Sequence, residues 1–368
     1  MQLTVVNKII LGFASFGCLL LITSILSYSG LSAIQSSAED VIEDKMPVQT
    51  QMNDVNTDIL TLATITANGF HESSKQGLLD SHNTFKSRAE AFIEKLDKLA
   101  KMLGSGKVSA QAIDASRTYV NESNSMYAEL ALRLEFEQRL ALHSEEVLMI
   151  ADEASALMLD LSYLDTRQQG VETIIGAGTN IDNKLLTMNT AITDLAASTD
   201  PEATAIIIDD LSYQISNIQV DKDYLNRLAE QVDTQGTVDS FNEQFDKLVE
   251  ALNGEEGLVW MQQEKLTHSA NSLSHQEAAQ AALKQALESI GVLYSQVNDS
   301  TLNAQQKILD TVLGALLKTA AVFVIGLIAA IFLGVLTTRS IAKPLVKINR
   351  GLSQLSQGDL TRKLDQSG

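Results

Sequence analysis

Apolar side chains recur along most of the chain at alternating gaps of three and four residues, the spacing that places them on one face of an α-helix. No comparable stretch alternates apolar and polar residues with a period of two, which is the pattern typical of a strand. The pattern therefore predicts an all-α fold. The clearest apolar seams begin at Met52, Phe85, Phe136, Ile181, Ile208 and Leu283.

Helix-breaking residues lie between these seams and divide the chain into six predicted helices. Gly104 ends the second helix, and Ser109 is the expected N-cap of the third. Asp200 and Pro201 supply the N-cap and the first position of the fifth helix, while the glycines within 253–257 interrupt or kink the sixth. The predicted helices span 30–70, 75–103, 109–169, 172–198, 201–231 and 238–338.

The lengths of these helices predict how they pack. The third helix extends about 90 Å at 1.5 Å per residue, the sixth is longer, and the other helices are roughly half as long. Antiparallel neighbours joined by short loops form bundles, so two stacked four-helix bundles result, which share the third and sixth helices. We call the bundle that contains the first and second helices the first module, and the bundle that contains the fourth and fifth helices the second module.

Two segments are predicted to span a membrane. The run 9–28 and the run 319–338 contain no charged residue, and each is long enough to cross a hydrocarbon core of about 30 Å. A cleaved signal peptide is the alternative for the first run, but its apolar part is longer than such peptides use. A buried core helix is the alternative for the second, and 20 consecutive uncharged residues disfavour it.

Nearby cations predict the orientation, because basic residues concentrate on the cytoplasmic side of membrane spans. Lys8 precedes the first span, and Arg339, Lys343, Lys347 and Arg350 follow the second. We therefore expect both ends in the cytoplasm of a bacterial inner-membrane protein and the intervening region in the periplasm. The expected divisions are a cytoplasmic N-terminus at 1–8, a span at 9–29, a periplasmic sensor region at 30–318, a span at 319–338 and a linker at 339–368.

Charge and cysteine content narrow the function further. The net charge of −19 divides into −24 for 30–338 and +5 for the two cytoplasmic flanks, which disfavours nucleic acid as a partner. The acidic outer region is either a solvated surface or an attractor of cationic ligands. Cys18 lies in the first span, so the outer region has no disulfide and no cysteine metal site. We expect no metal and no cofactor.

The segment after the second span resembles the first half of a HAMP linker. Residues 340–345 read SIAKPL, with Pro344 at the expected helix start, and residues 358–361 read GDLT. The alternative is a generic basic juxtamembrane helix. The sequence given ends before a second HAMP helix, so we expect it to be a fragment that lacks its output domain.

With this linker, the chain resembles a bacterial methyl-accepting chemotaxis receptor with a helical bimodular sensor domain, a family whose first sensor helix carries an early proline, as Pro47 does here. The resemblance implies a homodimer, a small-molecule ligand and cytoplasmic chemotaxis signalling proteins as partners. It also implies that arginines on inward helix faces bind the ligand, often a carboxylate. The chain departs from this pattern at 65–70, which contains no arginine and has His71 as its nearest titratable group.

Three residues of the second module are predicted to bind the ligand. Arg167 follows the third seam, one turn after Tyr163, and the pair is suited to clamping a carboxylate. A salt bridge to an acidic neighbour is the alternative for Arg167. Lys222 lies on the fifth seam, where the alternative is a lysine that extends to solvent.

The first module offers weaker candidates for ligand binding, and catalysis has little support. His143 is expected to be a hydrogen-bonded core residue, and His268 and His275 lie too far apart for a zinc pair on one helix face. No nucleophile or phosphate-binding motif is present, so no catalytic residue is predicted. The first-module candidates are His82, Arg133, Tyr127 and Tyr294.

Three functions follow from this sequence. A chemoreceptor, which is not an enzyme, would bind a small ligand outside and transmit a signal through the second span and the HAMP linker. A sensor histidine kinase of a two-component system would use the same parts and add an enzymatic output domain. A membrane scaffold without a ligand is the third possibility.

Overall fold

A computed structural model describes residues 5–104 and 106–356, and these residues form helices with no strand among them. The predicted all-α fold is therefore confirmed. The helices are α1 (Val5–Glu39), α2 (Met46–Phe70), α3 (Lys75–Leu103), α4 (Lys107–Asp160), α5 (Val171–Ala197), α6 (Pro201–Ala229), α7 (Thr237–Asn253), α8 (Leu258–Thr337) and α9 (Lys343–Ser356).

Local capping chemistry fixes several of these boundaries. The Asp200 carboxylate accepts a hydrogen bond from the Glu202 backbone N–H at 3.0 Å, and Pro201 opens α6 as expected. Ser74 caps α3 in the same way by accepting from the Gly77 N–H at 3.0 Å. Ser109, in contrast, lies buried inside α4 and is not its N-cap, which is Gly106. Side chains that satisfy free backbone donors thus set the starts of α3 and α6.

The structure corrects two predicted helix ends. The third helix was expected to reach residue 169, but α4 ends at Asp160 and continues only as a 3₁₀ turn over Leu161–Tyr163. The sixth predicted helix is two helices, α7 and α8, separated by residues 254–257. A Cβ at Gly257 would lie 2.6 Å from the Leu252 carbonyl oxygen, so this tight turn depends on glycine.

The first and the last of the three prolines each follow a short π-helical segment. Asp40–Lys45 precedes Pro47, and Thr338–Ala342 precedes Pro344. Proline has no N–H to donate, and its ring crowds the carbonyl four residues earlier, so a wider turn is a local solution that keeps the backbone helical. The chain therefore passes through both prolines without a break in helical structure.

The chain divides into two compact units, and the first comprises residues 1–53 and 293–368. Here α1 and the end of α8 pack antiparallel, with Gly30 near Ala315 and Gly326 near Leu19. Among the described residues, two helical segments are long and apolar enough to cross a membrane, with mean hydropathies of 2.4 and 2.7. This finding agrees with two membrane spans.

The second unit comprises residues 54–292 and contains the two bundles. α4 runs unbroken through both, which explains why they stack. The first module consists of α2, α3, the first half of α4 and the part of α8 that contacts it. The second module consists of the rest of α4 with α5, α6 and α7, so α7 takes the place that was expected for the sixth helix. The double four-helix arrangement is thus confirmed with one helix reassigned.

Candidate functional site

Polar side chains meet inside the first module where α2 ends, α3 begins and α4 passes both. The Tyr127 hydroxyl donates a hydrogen bond to the Ile65 carbonyl oxygen at 3.1 Å and lies 2.9 Å from Ser81 Oγ. The ring of His82 stacks on the ring of Tyr127, with centroids 4.8 Å apart and planes inclined by 9°. Because Tyr127 is fully buried, burial raises the pKa of its hydroxyl.

Gly69 allows Tyr127 to occupy this position. A Cβ at residue 69 would lie 2.2 Å from the Tyr127 hydroxyl and 2.6 Å from its ring, so any larger residue would displace the tyrosine. The glycine near the end of α2 is therefore a packing requirement of the site.

A second buried tyrosine extends the network along α4. The Tyr119 hydroxyl lies 2.8 Å from Thr66 Oγ1, which itself donates to the Leu62 carbonyl oxygen at 3.0 Å. Burial raises the pKa of Tyr119 to about 12, so this hydroxyl stays protonated at neutral pH. The two tyrosines lie on the same face of α4 and bring hydroxyl groups into an otherwise apolar core.

A groove between α3 and α4 adjoins the His82 side of this network. His82 Nε2 lies 3.0 Å from Asn124 Oδ1, which places the imidazole as the hydrogen-bond donor. Asn124 also lines the groove, which has a volume of about 460 Å³. Its other lining residues are Lys86, Ala89, Glu90, Ile93, Glu94, Asp97 and Val120. The groove thus presents a cation, three carboxylates and an amide, a set suited to a small polar molecule.

α4 also contacts α8 through two carboxylate–histidine pairs. Glu129 Oε2 lies 2.7 Å from His268 Nδ1, and Glu122 Oε2 lies 2.7 Å from His275 Nδ1. The two glutamates are seven residues apart on α4, and the two histidines are seven residues apart on α8. The two pairs therefore lie on one seam between antiparallel helices. Burial acts to raise the pKa of Glu129, but hydrogen bonds from His268 and Asn271 outweigh it, and the pKa is lowered.

The structure places the predicted second-module pair outside the helix core. Arg167 lies in the loop before α5, and its side chain binds Asp165 through hydrogen bonds that include Nε to Oδ1 at 2.9 Å and Nη2 to Oδ2 at 2.7 Å. Its side chain is 89 % exposed, and Tyr163 is 86 % exposed. Their expected place on the seam of the third helix is wrong, because α4 ends at Asp160. Their role in ligand binding stays a prediction.

Lys222 is buried and paired and does not extend to solvent. Its ammonium group forms an ion pair with Asp246 of α7 and lies 5.4 Å from the centre of the Phe245 ring. This contact holds α6 against α7 and compensates the cost of burying the charge. Lys222 therefore has a structural role in the second module. Its role in ligand binding stays a prediction.

Arg133, Tyr294 and His143 differ in their positions on the helices and in their exposure. Arg133 follows Tyr127 by six residues, which places it on a different side of α4. Tyr294 is 41 % exposed and belongs to the other compact unit. His143 Nε2–H donates a hydrogen bond to the Ala251 carbonyl oxygen at 3.0 Å, as expected of a hydrogen-bonded core histidine. Of the four first-module candidates, the structure therefore brings together His82 and Tyr127.

Sequence reasoning missed the link between α5 and α8. Lys265 Nζ donates to the Ser198 carbonyl oxygen at 2.9 Å, and Gln262 Nε2 donates to the same oxygen at 2.8 Å. The last carbonyl groups of a helix lack partners within it, and a lysine there also complements the helix dipole. Burial lowers the pKa of Lys265. The sequence signal was a polar pair, three residues apart, near the start of α8.

Comparisons with known proteins agree with this fold. Residues 2–134 match the family model described as a four-helix bundle sensory module for signal transduction. A crystal structure of the TorS sensor domain–TorT complex in the presence of TMAO has a TM-score of 0.50 and 10 % identity, and the match covers 69 % of this chain and 99 % of that one. The sensor domain of the V. parahaemolyticus histidine kinase sensor TorS has a TM-score of 0.46 and 13 % identity, over 70 % of this chain and 99 % of that one. No curated protein sequence matches the chain.

The structural match to the TorS sensor domain shows the fold alone, because only 10 % of the residues are identical. The family match shows that the chain contains a sensory module for signal transduction, and it confirms the resemblance to transmembrane sensors that the sequence predicted.

Proposed function

We propose that the chain is the sensory part of a bacterial chemoreceptor, which binds a small polar ligand in the first module and transmits the event through α8. One observation carries this proposal: α4, which supplies Tyr127 and Asn124 to the candidate site, also holds α8 through Glu129 and Glu122. α8 continues without interruption to Thr337 and includes the second apolar span.

The membrane placement follows from charge. Residues 9–29 and 319–338 cross the inner membrane, residues 30–318 lie in the periplasm, and the cations at 339–350 lie on the cytoplasmic side. The receptor acts as a homodimer, and residues 339–368 form the beginning of a HAMP linker. The GDLT motif at 358–361 on which this linker assignment partly rests lies outside the described residues.

Signalling needs two packings of the bundle that the ligand binds with different affinity. A ligand in the groove beside His82 contacts α3 and α4 together and so biases their relative position. The Glu129–His268 and Glu122–His275 pairs then pass a shift of α4 to α8. Cytoplasmic chemotaxis signalling proteins read the displacement after it has crossed the membrane. No bond in the ligand is made or broken in this scheme.

The test begins with the whole chain in lipid nanodiscs and a thermal-shift screen of amino acids, carboxylates and amines. For a hit, we expect His82→Ala and Asn124→Ala each to weaken affinity by about tenfold, because each removes a hydrogen-bonding group. Arg167→Ala serves as the matched control and should leave affinity unchanged. Loss of affinity in the Arg167 variant alone would place the ligand in the second module, and a screen without any hit would favour the ligand-free scaffold.

A sensor histidine kinase is the second candidate, because the TorS sensor domain, which is described as part of a histidine kinase, shares the fold. The sensor and linker proposed here serve either output. The coding sequence beyond residue 368 distinguishes them. A long helical hairpin supports the chemoreceptor, and a histidine-bearing dimerisation helix with an ATP-binding domain supports the kinase, which would make the whole protein an enzyme.

A further inference from the structure

The second module carries most of the negative charge of the outer region. Residues 140–257 contain 23 acidic and 5 basic side chains, a net charge of −18. The rest of the outer region, 30–139 with 258–318, contains 21 acidic and 15 basic side chains, a net charge of −6. Three of the five basic residues in the second module, Arg167, Lys184 and Lys222, are already paired with aspartates. The module therefore has a strongly negative surface that its own cations do not neutralise.

An apolar stripe runs along the exposed side of α6 in this same module. Ile206, Tyr213 and Val220 are 70 %, 68 % and 67 % exposed, and Tyr224 continues the line at 43 %. The first three lie at intervals of seven residues, so they drift by only about 20° per step around the helix. The opposite side of α6 holds its buried residues, including Leu211 and Ile218. The stripe is thus a second apolar face, separate from the one that packs in the bundle.

A groove beside the stripe extends this face onto α5. Leu186 is 52 % exposed and lies together with Ile206 in the lining of a groove of about 620 Å³ between α5 and α6. Asp194 and Asp210 also line the groove. Isolated apolar residues are ordinary on protein surfaces, whereas a contiguous patch rimmed by charges is typical of an interaction site.

Carboxylates border the stripe on both sides. Asp210 and Asp221 lie on one flank, and Asp209 and Asp223 lie on the other, as their positions at 100° per residue around α6 require. Arg227 is the exposed cation of this helix, and it lies over the Tyr224 ring at 5.9 Å. Asp221 is paired with Lys184, so apolar burial on this face comes with three carboxylates at its edges that no described basic side chain pairs with: Asp209, Asp210 and Asp223.

This charge pattern decides between two kinds of occupant. A second copy of the chain docked through the same face would place the aspartates of one α6 beside those of the other, and like charges across an interface cost free energy. A partner with an apolar stripe flanked by lysine or arginine would match both the apolar residues and the carboxylates. We propose that the α5–α6 face of the second module, defined by Leu186, Ile206, Tyr213 and Val220, docks a basic amphipathic surface of a partner protein.

The face also has a route to α8. The groove ends near the C-terminus of α5, and the Ser198 carbonyl that follows this helix is held by Gln262 and Lys265 of α8. A docked partner that shifts the end of α5 therefore acts on the same helix as the first-module site does. The docking proposal rests on the second module alone and does not depend on the ligand proposed for the first.

The experiment measures binding of a fluorescent amphipathic peptide to the full chain in zwitterionic nanodiscs, with empty nanodiscs subtracted. The peptide is a helix of about 18 residues with leucine on one face and lysine on the other, and its control carries glutamate in place of lysine. We expect the lysine peptide to bind, the glutamate peptide not to bind, and the Tyr213→Ser/Val220→Ser variant to weaken binding by about tenfold. Asp209→Asn/Asp223→Asn should reduce the dependence of binding on salt.

Met149→Ser is the matched control, because Met149 is an exposed apolar residue of the same acidic module but lies on α4, outside the docking face. This variant should bind the lysine peptide as the parent does. Equal binding by the Tyr213→Ser/Val220→Ser variant would overturn the proposal and reduce the effect to diffuse charge attraction. Self-association of the parent chain that this variant abolishes, measured by mass photometry, would also overturn it in favour of a second copy as the occupant.

Discussion

The two modules share one long helix and one architecture, yet they bury different chemistry. Between α2, α3 and α4 the first module buries the hydroxyls of Thr66, Tyr119 and Tyr127. The second module closes on a largely hydrocarbon core, in which Ile181, Leu185, Met188 and Ile192 of α5 are fully buried. On the outside, the second module carries three times the net negative charge of the rest of the outer region, and it also carries the exposed apolar stripe on α6.

This difference matches the two kinds of recognition that we propose for the two modules. Buried hydroxyls, an imidazole and an adjoining polar groove are suited to a small molecule that enters between helices. Hydrocarbon fills most of the second-module core, and the buried Asp182 and Lys222 are already paired, so we expect recognition there on the outer surface, where carboxylates border apolar residues. The following predictions test whether the modules differ in these ways, beginning with the largest expected effect.

Phe245→Ala should destabilise the second module and leave the first nearly unchanged. Phe245 is fully buried, stacks on Phe241 at 5.9 Å and supports the Lys222 ammonium group. Removing a buried phenyl ring costs about 3–5 kcal/mol. Hydrogen exchange followed by mass spectrometry should report faster exchange in α5–α7 than in α2 and α3. Equal acceleration in both modules would show that they unfold as one unit.

High pH should weaken the first module selectively through Tyr119. The pKa of this hydroxyl is raised to about 12, above the value of the unfolded chain, so its contribution to stability is full below pH 10 and is lost as pH rises toward 12. The corresponding loss is about 2–3 kcal/mol. Chemical denaturation monitored across this pH range should show the decrease, and Tyr119→Phe should remove this part of it. A pH dependence that is unchanged in the phenylalanine variant would contradict the assignment.

Gly69→Ala should disturb the site by crowding Tyr127. The added methyl group would lie 2.2 Å from the tyrosine hydroxyl, and overpacking of this kind costs about 1–3 kcal/mol. Combining it with Tyr127→Phe should recover part of the loss, because the closest clashing atom is then absent. Gly176→Ala in α5 is the matched control, since a Cβ there meets nothing within 4 Å. Thermal unfolding of these three variants provides the comparison, and equal effects at both glycines would contradict the crowding of Tyr127 by residue 69.

Salt should have the smallest effect and should act on the modules unequally. Raising the ionic strength shortens the Debye length from about 10 Å at 0.1 M to about 3 Å at 1 M, which screens repulsion among like charges. The local unfolding free energy of the second module should therefore rise by up to about 1 kcal/mol, and that of the first should change less. Hydrogen exchange at both salt concentrations measures the two values in one sample. A larger gain in the first module would refute the charge comparison.

The fold was predictable from sequence wherever a seam and a cap coincide. Asp200 with Pro201 gave the start of α6, and the gaps of three and four gave the buried faces of α3 and α5. The end of α4 was not predictable from the seam, because Leu164 keeps the apolar spacing while the chain has already left the helix. The break before α8 was visible as glycines, but the sequence does not reveal whether such residues kink a helix or end it.

The candidate site was predictable only in part. His82 was recognisable as a polar residue that extends an apolar seam, and Tyr127 was a weaker candidate of the same module; the structure places their rings in contact. Ser81 and Asn124 carry no such signal, since a serine or an asparagine on a helix surface is ordinary. The contact between α2, α3 and α4 depends on how far each helix extends. That distance is set by packing between helices and not by any single segment.

A ligand held beside His82 and Tyr127 should act on α8. Hydrogen exchange of the full chain in nanodiscs, measured with and without a ligand found by screening, checks this coupling. We expect slower exchange around residues 81–82 and 124–127, a change in α8 near His268 and His275, and little change in α5 and α6. Slower exchange confined to α5 and α6, or protection around Tyr127 with no change in α8, would contradict it.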